Sequence, residues 1–475
     1  PREKQVLYEM HIGTFNAPPG GGRGTWGSAM EKLEELAELG VNMIEVMPPA
    51  EFYGVTSWGY NTIYPFAPSR AYGSPDDVKA FIDKAHSLGI GVIIDVVHNH
   101  YGPGGDLWNF DGPSFGNGGI YFYADGRGLT QWGPRPDYGR QEVRDFIRDS
   151  ALQWLTDYNA DGLRWDSTVN IRRDGSADIP DGWSMLQNIM ATVHSTLPDK
   201  ILIAEDLQRD PWVTKDVGAG GAGFDAQWDP AFYWPMLNPV VTSDDGSRNL
   251  DKLHEALASS YNGDFRQRIL YTENHDEVGG LNGNQRLPDK INNQDPEGFF
   301  ARKRSGLAAA LLMTAPGVPM LFQGQELLET GSWSDVRVMD WGRKSRFANV
   351  RQFYQDLIAL RLNRYGTTAG LSGGNINVFH KDQPVLGFHR WNRGGPGDDV
   401  VVLMNWSAKP VRNYYFGLPR AGRWHTRLNS DWSGYGSDYS NTYAGDVDAR
   451  PEGRDGLGFT GSMDIGPYSV VILSQ

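Results

Sequence analysis

The chain has 475 residues, no cysteine and a formal net charge of −14. That length suggests two or three domains, or one large barrel with an extension, and a core large enough to need no covalent staples. The missing cysteines exclude disulfides and thiolate metal sites, the acidic balance argues against a nucleic-acid partner, and no apolar run is long enough to span a bilayer. No signal peptide is visible. The compartment stays open between cytoplasm and secretion, because both accept a cysteine-free chain. The chain opens at Pro1 and runs almost at once into a strand pattern, from which an upstream segment is expected to have been removed.

Strand and helix patterns alternate from the N-terminus. VLYEMHIGTF (6–15) reads as the first strand, followed by a helix with a capping box at Ser28 and Glu31 and an apolar face of Met30, Leu33, Leu36 and Ala37. VNMIEVMP (41–48) is the second strand. Ser74-Pro75-Asp76-Asp77 starts the next helix, with an N-cap and a proline at the first position. Val78, Phe81, Ile82, Ala85 and Leu88 share its face, and Gly89 stops it. IGVIIDVV (90–97) is apolar on both faces, as suits a parallel strand covered by helices. Residues 98–139 are rich in Gly, Pro, Asn and Asp, and so long an irregular stretch tends to be functional.

The alternation then resumes. Helix 141–158 leads to GLRWD (162–166), helix 183–196 to KILIAED (200–206), and FDAQWD (224–229) precedes a helix around 249–260. RILYTENHD (268–276) is the seventh strand. Helix 298–314 leads to PMLFQGQE (319–326), and helix 347–363 closes the set. Eight such pairs predict an α/β fold, a (β/α)8 TIM barrel with an inserted loop region after strand 3. A doubly wound sheet is the alternative, but GGGRG at 20–24 is a poor phosphate fingerprint. From about residue 376 only short alternating segments remain, which predict a C-terminal antiparallel β-sandwich. The expected domains are a catalytic barrel over 1–375, carrying the 98–139 insertion, and the β-sandwich over 376–475.

Reacting groups of a TIM barrel sit where its strands end. Here carboxylates close three separate strands: Asp166 after Arg164-Trp165, Glu205 after Ala204, and Asp276 after Asn274-His275. A structural ion-pair network is the bland reading. Glycosidic cleavage is the chemistry that wants such a cluster, because one carboxylate must attack the anomeric carbon while another holds a proton for the leaving oxygen. Arg164 lies two residues before Asp166 on one strand, so it shares a face with it and should hold it ionised. Neighbouring carboxylates should raise Glu205 and keep it protonated. Asp276 would bind hydroxyls and favour a charged transition state, and His100 and His275 could donate to the same ring. With 16 tryptophans and 21 tyrosines, aromatic sugar platforms compete with core packing. Of Trp58, Trp108, Trp132, Trp165, Trp228 and Trp333, only Trp58 is read as a platform rather than core.

DVVHNH (95–100), GLRWD (162–166), IAED around Glu205 and ENHD (273–276) resemble, in order, the four signature regions of the α-amylase family, glycoside hydrolase family 13. WGYN (58–61) resembles the segment whose tyrosine stacks on the sugar being cleaved. By that resemblance Asp166 is the nucleophile, Glu205 the acid/base and Asp276 the transition-state stabiliser. Tyr60, His100, Arg164 and His275 line the same subsite, with Trp58 adjoining, and Asp95 orients its neighbours. The resemblance implies a retaining hydrolase of α-1,4-glucans or maltooligosaccharides, acting as a monomer through a covalent glycosyl-enzyme intermediate and capable of transglycosylation. Closest is the trehalohydrolase and branching-enzyme side of the family. A 1,4-α-glucan branching enzyme, a maltooligosyltrehalose trehalohydrolase and a non-catalytic glucan-binding relative are the alternatives. Glu277 stands where trehalohydrolases usually carry Gln. No cofactor is required for the chemistry. A structural Ca2+ would use Asn99 with Asp106, Asp111 or Asp125 of the inserted loop, since hard cations take oxygen ligands.

Overall fold

A computed structural model describes residues 1–102, 107, 119–380 and 384–475. Eight parallel strands close into a barrel: β1 (Leu7–Met10), β2 (Met43–Val46), β3 (Gly91–Val96), β4 (Gly162–Trp165), β5 (Ile201–Ala204), β6 (Ala226–Trp228), β7 (Arg268–Tyr271) and β8 (Val318–Phe322). Leu7 of β1 pairs with Met320 of β8 on one side and Met43 of β2 on the other, so the sheet has no edge. The strands are buried along almost their whole length, which explains their unbroken apolar runs. Helices cover the outside. Pro75–Ser87 shows why they form: Ser74 caps Asp77, Pro75 occupies the first turn, Val78, Phe81, Ile82 and Ala85 are buried, and Gly89 leaves at φ +75.

Three local readings need correction. The first strand ends at Met10, because residues Ile12–Phe15 turn helical around the buried Thr14. The capping box near residue 28 is formed by Thr25 and Ser28, not by Ser28 and Glu31. Ser28 Oγ accepts from the Thr25 backbone and donates to the Asn16 carbonyl, which places it inside a short helix, Trp26–Met30, ahead of Leu33–Leu39. A helix over Pro230–Val241, before the expected one at Leu250–Ala258, escaped the pattern because Pro235 and Pro239 interrupt it. Asp229 caps its start and its apolar face is buried.

Beyond the barrel lie β9 (Asn375–His380), β10 (Val385–Trp391), β11 (Val400–Asn405), β12 (Val411–Leu418), β13 (Gly422–Asn429), β14 (Val447–Ala449), β15 (Phe459–Ile465) and β16 (Ser469–Ser474). A six-stranded sheet runs β9-β10-β11-β16-β13-β14 and a two-stranded one pairs β12 with β15; they enclose a second apolar core around Val401, Phe416, Trp424 and Leu473. The other face of the six-stranded sheet joins the barrel's own core, through Phe388, Val402 and Ile472. A buried ion pair, Lys303 Nζ to Asp431 Oδ1 at 2.7 Å, ties helix Phe299–Thr314 to the loop after β13. Among the described residues no helix is long and apolar enough to cross a membrane.

Candidate active site

Arg164 is the hub of the site. It sits third on β4, in register with Asp95 of β3, and its side chain is fully buried. Nη1 reaches Asp95 at 2.9 and 2.8 Å and Asp166 Oδ1 at 2.9 Å, while Nη2 lies 3.0 Å from Glu205 Oε2. One guanidinium therefore spans three carboxylates from three strands. Asp166 directly follows β4, its N–H still donating to Val96. Its other oxygen accepts from Asn99 Nδ2 at 2.6 Å. Tyr60 Oη donates to Asp95 at 2.6 Å. Burial pushes Asp95 up to about 7 against the pull of Arg164.

Glu205 directly follows β5, and its N–H donates to Trp165. Ser167 adopts a left-handed conformation, φ +41, which a non-glycine residue holds only under constraint. That turn delivers the Ser167 N–H to Glu205 Oε2 at 2.9 Å. Burial raises Glu205 from 4.5 to about 8, opposed by Arg164 and assisted by the charges of Asp166 and Asp276. The upward direction matches the sequence expectation, but desolvation leads and the neighbouring carboxylates come after it.

Asp276 lies in the first turn of a short helix, His275–Val278, after β7 and is the exposed member of the trio, its side chain 44% accessible. Asn282 Nδ2 donates to it at 3.0 Å. The neighbouring His275 ring stacks on Tyr60 with centroids 4.8 Å apart. Burial disfavours its charged form, but Asp276 and Glu9 outweigh that and raise it to about 9. His100 is buried and bonded through Nδ1 to Asn99 Oδ1 at 2.6 Å.

These groups surround an open cleft of about 640 Å3, lined by Trp58, Tyr60, His100, Trp132, Asp166, Glu205, His275 and Asp276. Such a volume falls within the usual range for small-molecule sites. Trp58 lies directly on Gly279, where a Cβ would come within 2.3 Å of its ring, and packs edge-wise on His275. Arg164, expected to line the subsite, does not line the cleft; with Asp95 it is buried behind the cleft's carboxylates. Trp165, Trp228 and Trp333 belong to the core. Trp132 is a correction. The sequence pattern favours core packing for it, yet it is 51% exposed at the cleft, its ring 5.6 Å from His100. Trp132→Ala should therefore raise KM for a glucan roughly tenfold, about 1.4 kcal/mol, and leave the thermal unfolding midpoint unchanged.

Sequence reading missed Ser167, Asn282 and two buried acids, Glu9 and Glu45. The last two carry a visible signal, a glutamate in the middle of each apolar strand LYEM and MIEV. Of the expected calcium ligands, only Asn99 and Asp125 fall within the described residues. Asn99 Oδ1 accepts from His100 and its Nδ2 donates to Asp166, while the Asp125 carboxylate is engaged by Arg127. Among the described residues no group of three or more His, Asp or Glu side chains could hold a metal ion. Trp108, Asp106 and Asp111 lie outside the described residues.

Comparison with known proteins addresses the family and the fold. Residues 11–111 match the family model described as "Alpha amylase, catalytic domain", and residues 376–475 the "Alpha amylase, C-terminal all-beta domain". A "1,4-alpha-glucan branching enzyme GlgB" of Corynebacterium jeikeium (strain K411) is 31% identical over 96% of this chain and 64% of the relative. A protein of the same name from Dechloromonas aromatica (strain RCB) is 31% identical over 90% of this chain and 71% of the relative. The chain thus spans about two thirds of the length of these relatives. An α-amylase from Geobacillus thermoleovorans, solved with acarbose, shares the fold with a TM-score of 0.76 at 18% identity, over 99% of this chain and 98% of that one.

Proposed function

The chain belongs to the α-amylase family, on its branching-enzyme side, and from that premise we propose that it is a retaining enzyme cleaving α-1,4-glucosidic bonds of starch-like glucans or maltooligosaccharides. The observation that carries this reading is the shared guanidinium. Asp166 and Glu205 are both anchored to Arg164, so both face one cleft across the span of a single fork. That arrangement suits the roughly 5–5.5 Å separation of a retaining pair.

Asp166, paired with Arg164 and Asn99, attacks the anomeric carbon as a carboxylate. Glu205, protonated below about 8, gives its proton to the leaving glycosidic oxygen and then takes one from the acceptor. Asp276, exposed at the mouth, stabilises the positive charge developing on the ring. Tyr60 and Trp58 offer aromatic faces to the sugar's apolar side, and His100 and His275 bind its hydroxyls. No step runs through a metal ion.

The acceptor decides the reaction. Water gives hydrolysis, the reading nearest the sequence motifs. A glucan hydroxyl gives transfer, and the branching-enzyme names of both relatives favour transfer that forms α-1,6 links. Proton NMR of products from amylose and maltoheptaose separates them. New reducing ends indicate hydrolysis, new α-1,6 anomeric signals branching, and trehalose released from a trehalose-capped oligosaccharide a trehalohydrolase. Binding without any product would overturn the enzymatic reading. A pH dependence follows as well. Since Glu205 must carry a proton to act as acid, kcat/KM should fall as pH rises through about 8. An activity still climbing at pH 9 would remove Glu205 from that role.

A further inference from the structure

Glu9 and Glu45 are register partners on β1 and β2, both 1% exposed, and the chemistry above uses neither. Their surroundings differ sharply. Glu9 accepts from His275 twice, at Nδ1 through Oε1 and at the backbone N–H through Oε2 at 3.2 Å. Among the described residues neither oxygen of Glu45 has a hydrogen-bond partner. A buried carboxylate with no donor holds its proton, and two carboxyls side by side in a dry interior do not both ionise. Burial, then the charge of Glu9, pushes Glu45 well above the ordinary carboxylate range. The single negative charge of the pair therefore rests on Glu9, against the imidazole.

The rest of the ring is clamped. Tyr60 stacks on one face, Trp228 lies 5.7 Å away at a tilt and Trp58 meets the edge. With Nδ1 committed to Glu9, Nε2 lies 3.6 Å from Asp276 Oδ1, at the cleft. The titratable and charged groups around the ring are Glu9 and the protonated Glu45 from β1 and β2, Arg164 from β4, and Asp276 and Glu277 beside it; His11, lowered to about 4 by burial, stays neutral. We propose that Glu9 is a positioning residue that fixes both the charge and the direction of His275, and that Glu45 serves as its uncharged neighbour. The imidazolium then donates from both nitrogens, Nδ1–H to Glu9 and Nε2–H toward a sugar hydroxyl beside Asp276. This inference rests on the functional reading above only for the identity of the hydroxyl.

The test is a titration of His275 in the full chain, by NMR of histidine-labelled protein, with the resonance assigned through its loss in His275→Gln. In the unmodified chain the ring should remain protonated to near pH 9. In Glu9→Gln, which keeps a hydrogen-bond acceptor but removes the charge, it should titrate at least one pH unit lower. Glu45→Gln, isosteric with the protonated acid, should leave the titration unchanged. A neutral His275 at pH 7 in the unmodified chain overturns the proposal even if Glu9→Gln fails to fold. So does an unshifted titration in Glu9→Gln, or a shift in Glu45→Gln as large as the one expected for Glu9→Gln. The titration needs no turnover, so inactivity on every glucan would refute the proposed function while leaving this result standing.

Discussion

Asp166→Asn should lose at least about 10^4-fold in kcat on maltoheptaose, the scale on which removing a member of a catalytic unit operates. The amide keeps the shape of the side chain, and its oxygen can still accept from Arg164 while its NH2 loses the bond from Asn99, so glucan binding should survive and the loss should fall on kcat rather than KM. Asn at this position cannot form the glycosyl ester. The substitution also removes one of the charges that raise Glu205, so the alkaline limb of any residual activity should move to lower pH. Asp166→Ala sharpens the test. With space at the anomeric carbon, added azide should restore turnover and give a glycosyl azide of inverted configuration, which only a missing nucleophile explains. Activity within tenfold of the unmodified chain would remove Asp166 from the mechanism.

Arg164→Met should be the most destabilising single change at this site, by about 3–5 kcal/mol. The guanidinium is fully buried against Asp95, Asp166 and Glu205, and methionine fills much of its volume while leaving those carboxylates without a counter-charge. The sign of its pH dependence follows. Asp95 and Glu205 already sit above their ordinary values, at about 7 and about 8, so in the folded state their protons stabilise at low pH and are lost as pH rises through that window. Without Arg164 these acids hold their protons more tightly, so protonation substitutes for the missing cation in acid and fails to do so in alkali. Urea unfolding should show a larger deficit at pH 9 than at pH 5. Equal deficits at both would mean that only packing was lost. Arg164→Lys should rescue little, since a point charge cannot bridge carboxylates on opposite sides of a fork.

What was legible along the chain had local causes. Parallel strands buried on both faces leave continuous apolar runs, so all eight barrel strands appeared in order, and the acids closing three of them stood out as departures from those runs. Boundaries failed where a side chain's partner lies elsewhere. Ser28 belongs inside a helix because its hydroxyl is tied to Asn16, and the helix with Pro235 and Pro239 survives because tertiary burial outweighs two missing donors. Trp132 was unreadable for the same reason, since exposure depends on what the fold lays over a residue.

By itself the sequence determined the barrel, the order of its strands and the carboxylates at their ends, because periodicity and strand-end position are properties of neighbours in the chain. Only the tertiary structure decided that one buried arginine gathers two of those acids together with Asp95, that desolvation more than charge raises Glu205, and that Glu9 reaches past β8 to His275. Those facts depend on distance and dielectric between residues up to 266 positions apart, and no local pattern encodes either.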